Sequence, residues 1–349
     1  MGKSKIDPKL KNFIKKIVFN MLLPSSVFFY VQSKIVDQIS GTPETIAKHL
    51  GVLALMKIAY HVGKYFYAKI FQPPKDLTKY GKWAVITGST SGIGEAYAHY
   101  LAEKGINILQ ISRSEAKLKK VATDLKEYGV ETEYLVHDYG VADPAKVSEF
   151  RSKLDVKLGE LTSKGGVGIL INSVGVANSV PTLIHEMDEE EVRQMLCINN
   201  DGTMMMTQAI LPHMMFRKTG AIITISSASC THPAGLLSVY SATKAFGHQL
   251  TRSMYYEFKE YGIDCISVTP YYFVSNLFKR GKGTILSPMP IAIIENTTKY
   301  LGYTYQCNPY WAHRALGFCF QNYMYGHEEG HATMKRSRAR AMAKMAKNK

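Results

Sequence analysis

From residue 83 onward, short runs of consecutive apolar residues alternate with longer stretches whose apolar positions recur every three or four residues. The short runs fall at 83–87, 107–112, 133–137, 168–172, 221–226 and 264–270, the length and composition of buried strands. Helical periodicity occupies 93–104, 114–128, 143–163, 189–216 and 239–262. Strands that alternate with helices in this way are joined by right-handed crossovers, so the pattern predicts an α/β fold with a doubly wound parallel sheet. The 25 uncharged residues between Lys218 and Lys244 are punctuated by Ser, Thr, Pro and Gly, and divide into a strand, a loop and a helix start.

Upstream the pattern differs. Seventeen uncharged residues separate Lys16 from Lys34, interrupted by Asn20, Pro24, Ser25 and Ser26. A second stretch, 45–71, carries Lys57, His61 and Lys64 on one helical face, among residues such as Leu53, Leu55, Ile58 and Phe66. It predicts a helix lying among lipid headgroups. A tilted or re-entrant span, and a helix packed on its own domain, are the alternatives. Gln72-Pro73-Pro74-Lys75 reads as a linker. The expected organisation is an N-terminal membrane-associated region at 1–75, a catalytic domain at 79–280, a substrate-binding and membrane-associated extension at 281–332, and a basic tail at 333–349.

Charge supports that division. The chain of 349 residues has a formal charge of +15. Residues 1–82 hold fourteen lysines against four acids, 333–349 hold seven basic residues and no acid, and the centre is near neutral. Two basic ends around a neutral core point to an anionic membrane surface and away from nucleic acid. Five scattered cysteines form no C-x-x-C pair, which suits a reducing compartment and small apolar filler. Gly2 lacks the Ser or Thr at position 6 that myristoylation wants.

The first strand runs into Thr87-Gly88-Ser89-Thr90-Ser91-Gly92-Ile93-Gly94. Glycines 88, 92 and 94 allow a tight strand-to-helix turn and close approach of a pyrophosphate to the helix N-terminus. Ser89, Ser91 and Ile93 complete that candidate cofactor loop. The second strand ends Ile111-Ser112-Arg113-Ser114, where an acid would select NAD and a guanidinium suits a 2′-phosphate, so Arg113 predicts NADP(H). Asp138 closes the third strand, where its carboxylate could accept from adenine. In Tyr240-Ser241-Ala242-Thr243-Lys244 the phenol and ammonium share a helix face, and the ammonium is expected to favour the phenolate. Ser227 ends a strand thirteen residues upstream, with a hydroxyl able to polarise a carbonyl oxygen.

These motifs, with Asn172-Ser173-Val174-Gly175, Asn199 and Pro270, resemble the short-chain dehydrogenase/reductase family over residues 79–280. Lys79-Tyr80-Gly81-Lys82-Trp83-Ala84-Val85, Ile111-Ser112-Arg113-Ser114 and Ser267-Val268-Thr269-Pro270-Tyr271-Tyr272 resemble one branch. That branch contains very-long-chain 3-oxoacyl-CoA reductases, 17β-hydroxysteroid dehydrogenases and hydroxysteroid dehydrogenase-like proteins. The resemblance implies a Rossmann-type sheet and NADPH-dependent reduction of a lipid ketone, first a long-chain 3-oxoacyl-CoA of fatty acid elongation, with a steroid or retinoid as the alternative. It implies that Tyr240 protonates the carbonyl oxygen, Ser227 holds it, Lys244 binds the nicotinamide ribose, and Asn199 holds a water linking Lys244 to solvent. It also implies that Asn172, Pro270, Phe273 and Ser275 join Tyr240 and Lys244 in lining the cofactor. Ser173 replaces a second Asn, a change expected to loosen the loop beside the cofactor, and Tyr271 replaces a commoner Gly. A cofactor-binding scaffold that has lost its chemistry is the rival of another class.

His327-Glu328-Glu329-Gly330-His331 matches the H-E-x-x-H zinc pattern, but Gly330 and the shortage of a third ligand argue against a metal site. The aromatic-rich stretch 271–330 suits an apolar pocket or an interfacial anchor. The expected location is the endoplasmic reticulum membrane with the catalytic domain facing the cytosol, the mitochondrion being the alternative. The expected partners are a lipid substrate, the membrane surface and a second copy in a homodimer.

Overall fold

The computed structural model describes residues 48–53, 55–56, 58–60, 63, 73–274, 283–322 and 324–347. The chain divides into two compact units, Met1–Pro73 and Pro74–Lys349. The described residues of the first unit up to Gly63 are helical, with Leu53 buried and Leu50, Val52, Leu55 and Ile58 exposed. Among the described residues no helix is long and apolar enough to cross a membrane. The 17–33 run, and Lys57, His61 and Lys64, lie outside the described residues.

The second unit is built on the apolar runs. Strands β1 (Trp83–Thr87), β2 (Asn107–Ser112), β3 (Thr132–Val136), β4 (Val167–Asn172), β5 (Gly220–Ile225) and β6 (Ile263–Val268) match the expected strands within a residue or two. A two-residue β7 (Gln306–Cys307) adds an edge from the extension. The sheet order is β3-β2-β1-β4-β5-β6-β7, with all pairs parallel. Every residue of β1, β4 and β5 is buried, which is why these strands read as unbroken apolar runs rather than alternating ones.

Helices cover both faces: α1 (Gly92–Glu103), α2 (Glu115–Leu125), α3 (Pro144–Ser163), α4 (Glu189–Leu196), α5 (Gly202–Arg217) and α6 (Ser238–Glu257). Trp83, Leu109, Leu154, Leu158, Met206, Ile210 and Ile222 form the centre of one core layer. The long helical stretch expected at 189–216 is broken in the middle. A π-helical segment, Cys197–Asp201, joins α4 to α5 and carries Asn199. A wider turn of this kind re-aims its side chains relative to a continuous α-helix.

The extension contributes α7 (Pro290–Thr298), α8 (Trp311–Asn322) and α9 (Met324–Lys347). Helix α7 packs on α1, and α8 on α9. The basic C-terminal run through Lys347 is therefore helical, as the later part of α9.

Strand order reverses between β1, which leads to β2, and β4 on its other side. The connections leaving the two carboxyl ends part there and open a crevice, the usual ligand position in such sheets.

Candidate active site

The turn after β1 is shaped by what it cannot hold. Gly88 has φ +65°, and a β-carbon on Gly94 would fall 2.3 Å from the Gly88 carbonyl oxygen. A side chain at either position would push the helix off the strand end. The Ser89 hydroxyl is buried without a partner among the described residues, and Ser91 does not use its hydroxyl to cap α1. Both are suited to a group with several acceptor oxygens. The loop thus fits a pyrophosphate at the start of α1, with Gly92, Ile93 and Gly94 forming the first helical turn.

Thr90 Oγ1 and Ser112 Oγ lie 2.9 Å apart, joining this turn to the end of β2. Arg113 follows immediately, exposed and with no ion-pair partner among the described residues. Asp138 accepts from the Gly140 N–H at 2.9 Å through Oδ1. That bond leaves its other oxygen for an amino group.

At the end of β4, Asn172 Nδ2 donates to Thr207 Oγ1 at 3.0 Å, while its Oδ1 is buried without a partner among the described residues. The loosening expected beside it is not found. Ser173 ties its loop down. Its hydroxyl donates to the Thr87 carbonyl, and the backbone N–H groups of Ser173 and Val174 both donate to Thr87 Oγ1 at 3.1 Å.

The four candidate reacting residues come together on three elements. Ser227 lies two residues beyond the end of β5 and interacts with the Tyr240 phenol, which α6 presents in its first turn. Burial holds that phenol above its ordinary value, and the Ser227 hydrogen bond opposes the shift in part. The expected phenolate is therefore not what the ligand-free arrangement favours. Lys244 Nζ lies 6.0 Å from the Tyr240 ring centre and donates to the Ile225 carbonyl at 3.0 Å. Burial draws the Lys244 ammonium itself down to about 8.

Asn199 is buried on the π-segment with its amide almost fully engaged. Nδ2 donates to the Val176 carbonyl at 3.0 Å and to Thr243 Oγ1 at 2.8 Å, while Oδ1 accepts from the Val176 N–H at 2.8 Å. What remains for a water is a second lone pair on Oδ1. A β-carbon on Gly175 would lie 2.8 Å from Lys244 Nζ and 3.3 Å from Asn199 Oδ1, so this glycine sets the space between them.

Several neighbours of the site are set by the tertiary structure and not by any sequence motif. Thr243 takes the Asn199 amide and donates to the Tyr240 carbonyl at 2.8 Å. Its place three residues after Tyr240 was the available signal. Cys230, read from sequence as filler, sits near Tyr240 and Lys244, its thiol pushed up by burial. The His232 and Tyr271 rings stack with centres 5.7 Å apart, and the Tyr271 N–H donates to His313 Nδ1 at 3.2 Å. Pro270 accepts from the Ala228 N–H at 2.9 Å, joining the Ser227 loop to the end of β6. Phe273 is half-buried beyond Pro270. Ser275 and Phe278 lie outside the described residues.

The arrangement offers a cofactor cradle and, beside it, a half-buried proton donor with a hydroxyl partner. A family model for short chain dehydrogenases matches residues 82–283. The human protein named inactive hydroxysteroid dehydrogenase-like protein 1 is 35% identical over 255 residues, covering 71% of this chain and 74% of its own. The human very-long-chain 3-oxoacyl-CoA reductase is 35% identical over 245 residues, covering 69% of this chain and 75% of its own. Among solved structures, a 7β-hydroxysteroid dehydrogenase superposes with a TM-score of 0.63 at 21% identity, covering 74% of this chain and 99% of that one. At that identity the likeness is one of fold.

Proposed function

The chain belongs to the short-chain dehydrogenase/reductase family of oxidoreductases, and from that membership we propose that it reduces a lipid ketone with NADPH, a long-chain 3-oxoacyl-CoA first. The observation that carries the reading is the half-buried Tyr240 phenol next to Ser227, with Lys244 on the same helix and Asn199 tied to it through Thr243. A protein that had kept only cofactor binding would have no need of this set.

When bound, the nicotinamide supplies a hydride to the carbonyl carbon. The protein handles the proton. Tyr240, kept as the neutral phenol by burial, donates to the carbonyl oxygen as negative charge develops there. Ser227 donates a second hydrogen bond to the same oxygen. Lys244 would hold the nicotinamide ribose, and its ammonium, 6.0 Å from the Tyr240 ring centre, would ease loss of the phenolic proton once drawn from the Ile225 carbonyl. Asn199 and Thr243 fix the turn of α6 from which Tyr240 acts. The exposed Arg113 guanidinium at the end of β2 supports NADP(H) over NAD(H), because a 2′-phosphate would meet a cation there and no acid.

A steroid or retinoid ketone is the second reading, favoured by the aromatic residues after β6. Purified full-length protein should consume NADPH with 3-oxohexadecanoyl-CoA faster than with a 17-ketosteroid or retinal. Faster steroid turnover would select the second reading, and no turnover with any of the three would end the proposal.

For location we propose the cytosolic face of the endoplasmic reticulum membrane. The basic residues of 1–82 and 333–349 support attachment, each worth on the order of 1 kcal/mol near an anionic surface. Exposed apolar side chains such as Leu55 and Ile58 would add to it. Recovery in a soluble fraction before any carbonate wash would rule this out.

A further inference from the structure

Helix α9 lies against the two loops that frame the active site. On one side is the loop after β4, through Leu183 and Glu186. On the other is the segment just before α6, through Gly235 and Leu236, which leads directly into the turn carrying Tyr240. The contacts are specific. Arg338 pairs with Glu186, and a β-carbon on Gly235 would fall 2.3 Å from His331 Nδ1. Leu236 has φ +66°, a conformation that a leucine keeps only when its surroundings impose it. Here the Thr182 N–H donates to its carbonyl at 3.0 Å, and its side chain faces α9 across a groove.

Between α9 and these loops runs a groove of about 430 Å³, open along one side. That lies within the roughly 300–1,000 Å³ of ligand clefts. Its walls are aliphatic, from Leu183, Leu236, Ala339 and Met342, and its rim is cationic, from Lys335 and Arg338. The two cations are not equivalent. Arg338 is neutralised by Glu186, whereas Lys335 has no ion-pair partner among the described residues. From Lys335 to Lys347 the helix carries six basic residues and no acid, so the α9 wall of the groove is cationic.

We infer that this groove binds a single acyl chain bearing an anionic head, the chain lying along Leu183, Leu236 and Met342 and the head pairing with Lys335. A neutral steroid would leave the cation without use, and a free anion would leave the aliphatic walls exposed. Only an amphiphile satisfies both. The acyl identity rests on the lipid-ketone reading above, and the anionic head extends it: the groove lies against the catalytic loops and selects acyl substrates or products that carry a carboxylate or phosphate. It also makes α9 a specificity element, because its ligand touches Leu236 at the threshold of the catalytic helix.

The test uses the full-length, NADPH-saturated protein and calorimetric titration below micellar concentrations. The probes are hexadecanoyl-CoA, hexadecanoate, coenzyme A without a chain, and neutral methyl hexadecanoate. None has a 3-oxo group, so binding is read without turnover. At least one anionic chain should bind tenfold or more tighter than the neutral ester and the chainless coenzyme. Lys335→Glu should remove that advantage, Lys335→Arg should keep it, and Ala339→Phe should weaken every chain by filling the groove. Preference for hexadecanoate would assign the head as a carboxylate, and preference for hexadecanoyl-CoA would assign it as phosphate. Anionic and neutral chains of equal affinity, or a Lys335→Glu protein within twofold of the parent, would overturn the inference. Neither result depends on whether 3-oxoacyl-CoA is reduced, so a failed groove and a failed activity are told apart.

Discussion

Asn199 Nδ2 donates to Thr243 Oγ1 across 2.8 Å, and Thr243 passes the contact on by donating to the Tyr240 carbonyl. The π-helical segment and the catalytic helix are thereby locked to each other through a single buried hydroxyl. Replacing Thr243 by Val keeps its shape and strands the Asn199 amide. An unsatisfied buried donor costs about 1–3 kcal/mol. Thr243→Val should therefore lower the denaturation midpoint measurably and reduce kcat, while Thr243→Ser should restore both. Chemical denaturation and steady-state kinetics on the two variants check this.

Tyr240→Phe removes the phenolic proton and little else. General acid catalysis contributes roughly 10²–10⁴-fold, and kcat should fall within that range. NADPH affinity, followed by cofactor fluorescence, should stay within a few fold of the parent. A variant that kept a large share of the activity would take Tyr240 out of the mechanism.

Gly175→Ala places a methyl group 2.8 Å from the position of Lys244 Nζ. The lysine end is flexible, so the protein should fold, with Nζ displaced by about an ångström. Displacements of that size cost up to about 100-fold in rate. The expected signature is a lowered kcat with thermal stability close to that of the parent.

Lys244 gives a pH signature in the ligand-free protein. Its folded value is lowered to about 8 from an ordinary 10.5. Below pH 8 both folded and unfolded chains hold the proton, and the folded state bears the full cost of the buried charge. Between about 8 and 10.5 the unfolded chain binds more protons, so this group's contribution to stability improves as pH rises. Lys244→Met should thus be more stable than the parent at pH 7, and the gap in melting temperature should narrow between pH 8 and 10. A gap that widened with pH would contradict the burial of the ammonium.

Arg113→Ala tests the cofactor preference. A hydrogen bond to a charged group is worth about 1.5–3 kcal/mol, which corresponds to roughly 10–100-fold in affinity. That loss should fall on NADPH and leave NADH nearly unchanged, as read by competitive titration of the two cofactors. Equal affinities for the two cofactors in the parent protein would remove the role of Arg113.

The sequence by itself determined the sheet. Strands β1, β4 and β5 are buried on both faces, so their apolar runs are continuous and visible in one dimension. It determined the glycine turn at 88–94 and the Tyr240/Lys244 pair for the same reason, since both depend on spacing within one turn or one helix. The tertiary structure decided whatever depends on neighbours distant along the chain. Asn172 and Ser173 stand side by side, yet the first turns to Thr207 on α5 and the second to Thr87 at the end of the neighbouring strand β1. Tyr240 beside Lys244 suggested a lowered phenol, but the ammonium is spent on Ile225 and burial raises the phenol instead. In the sequence the basic C-terminal run reads only as a tail suited to an anionic surface. It is a helix against Leu183 and Leu236 because His331, Arg338 and Met342, spaced along one face, find contacts in loops about a hundred residues or more upstream. Periodicity records which face of an element is buried, and the partner that buries it is settled only when the chain closes on itself.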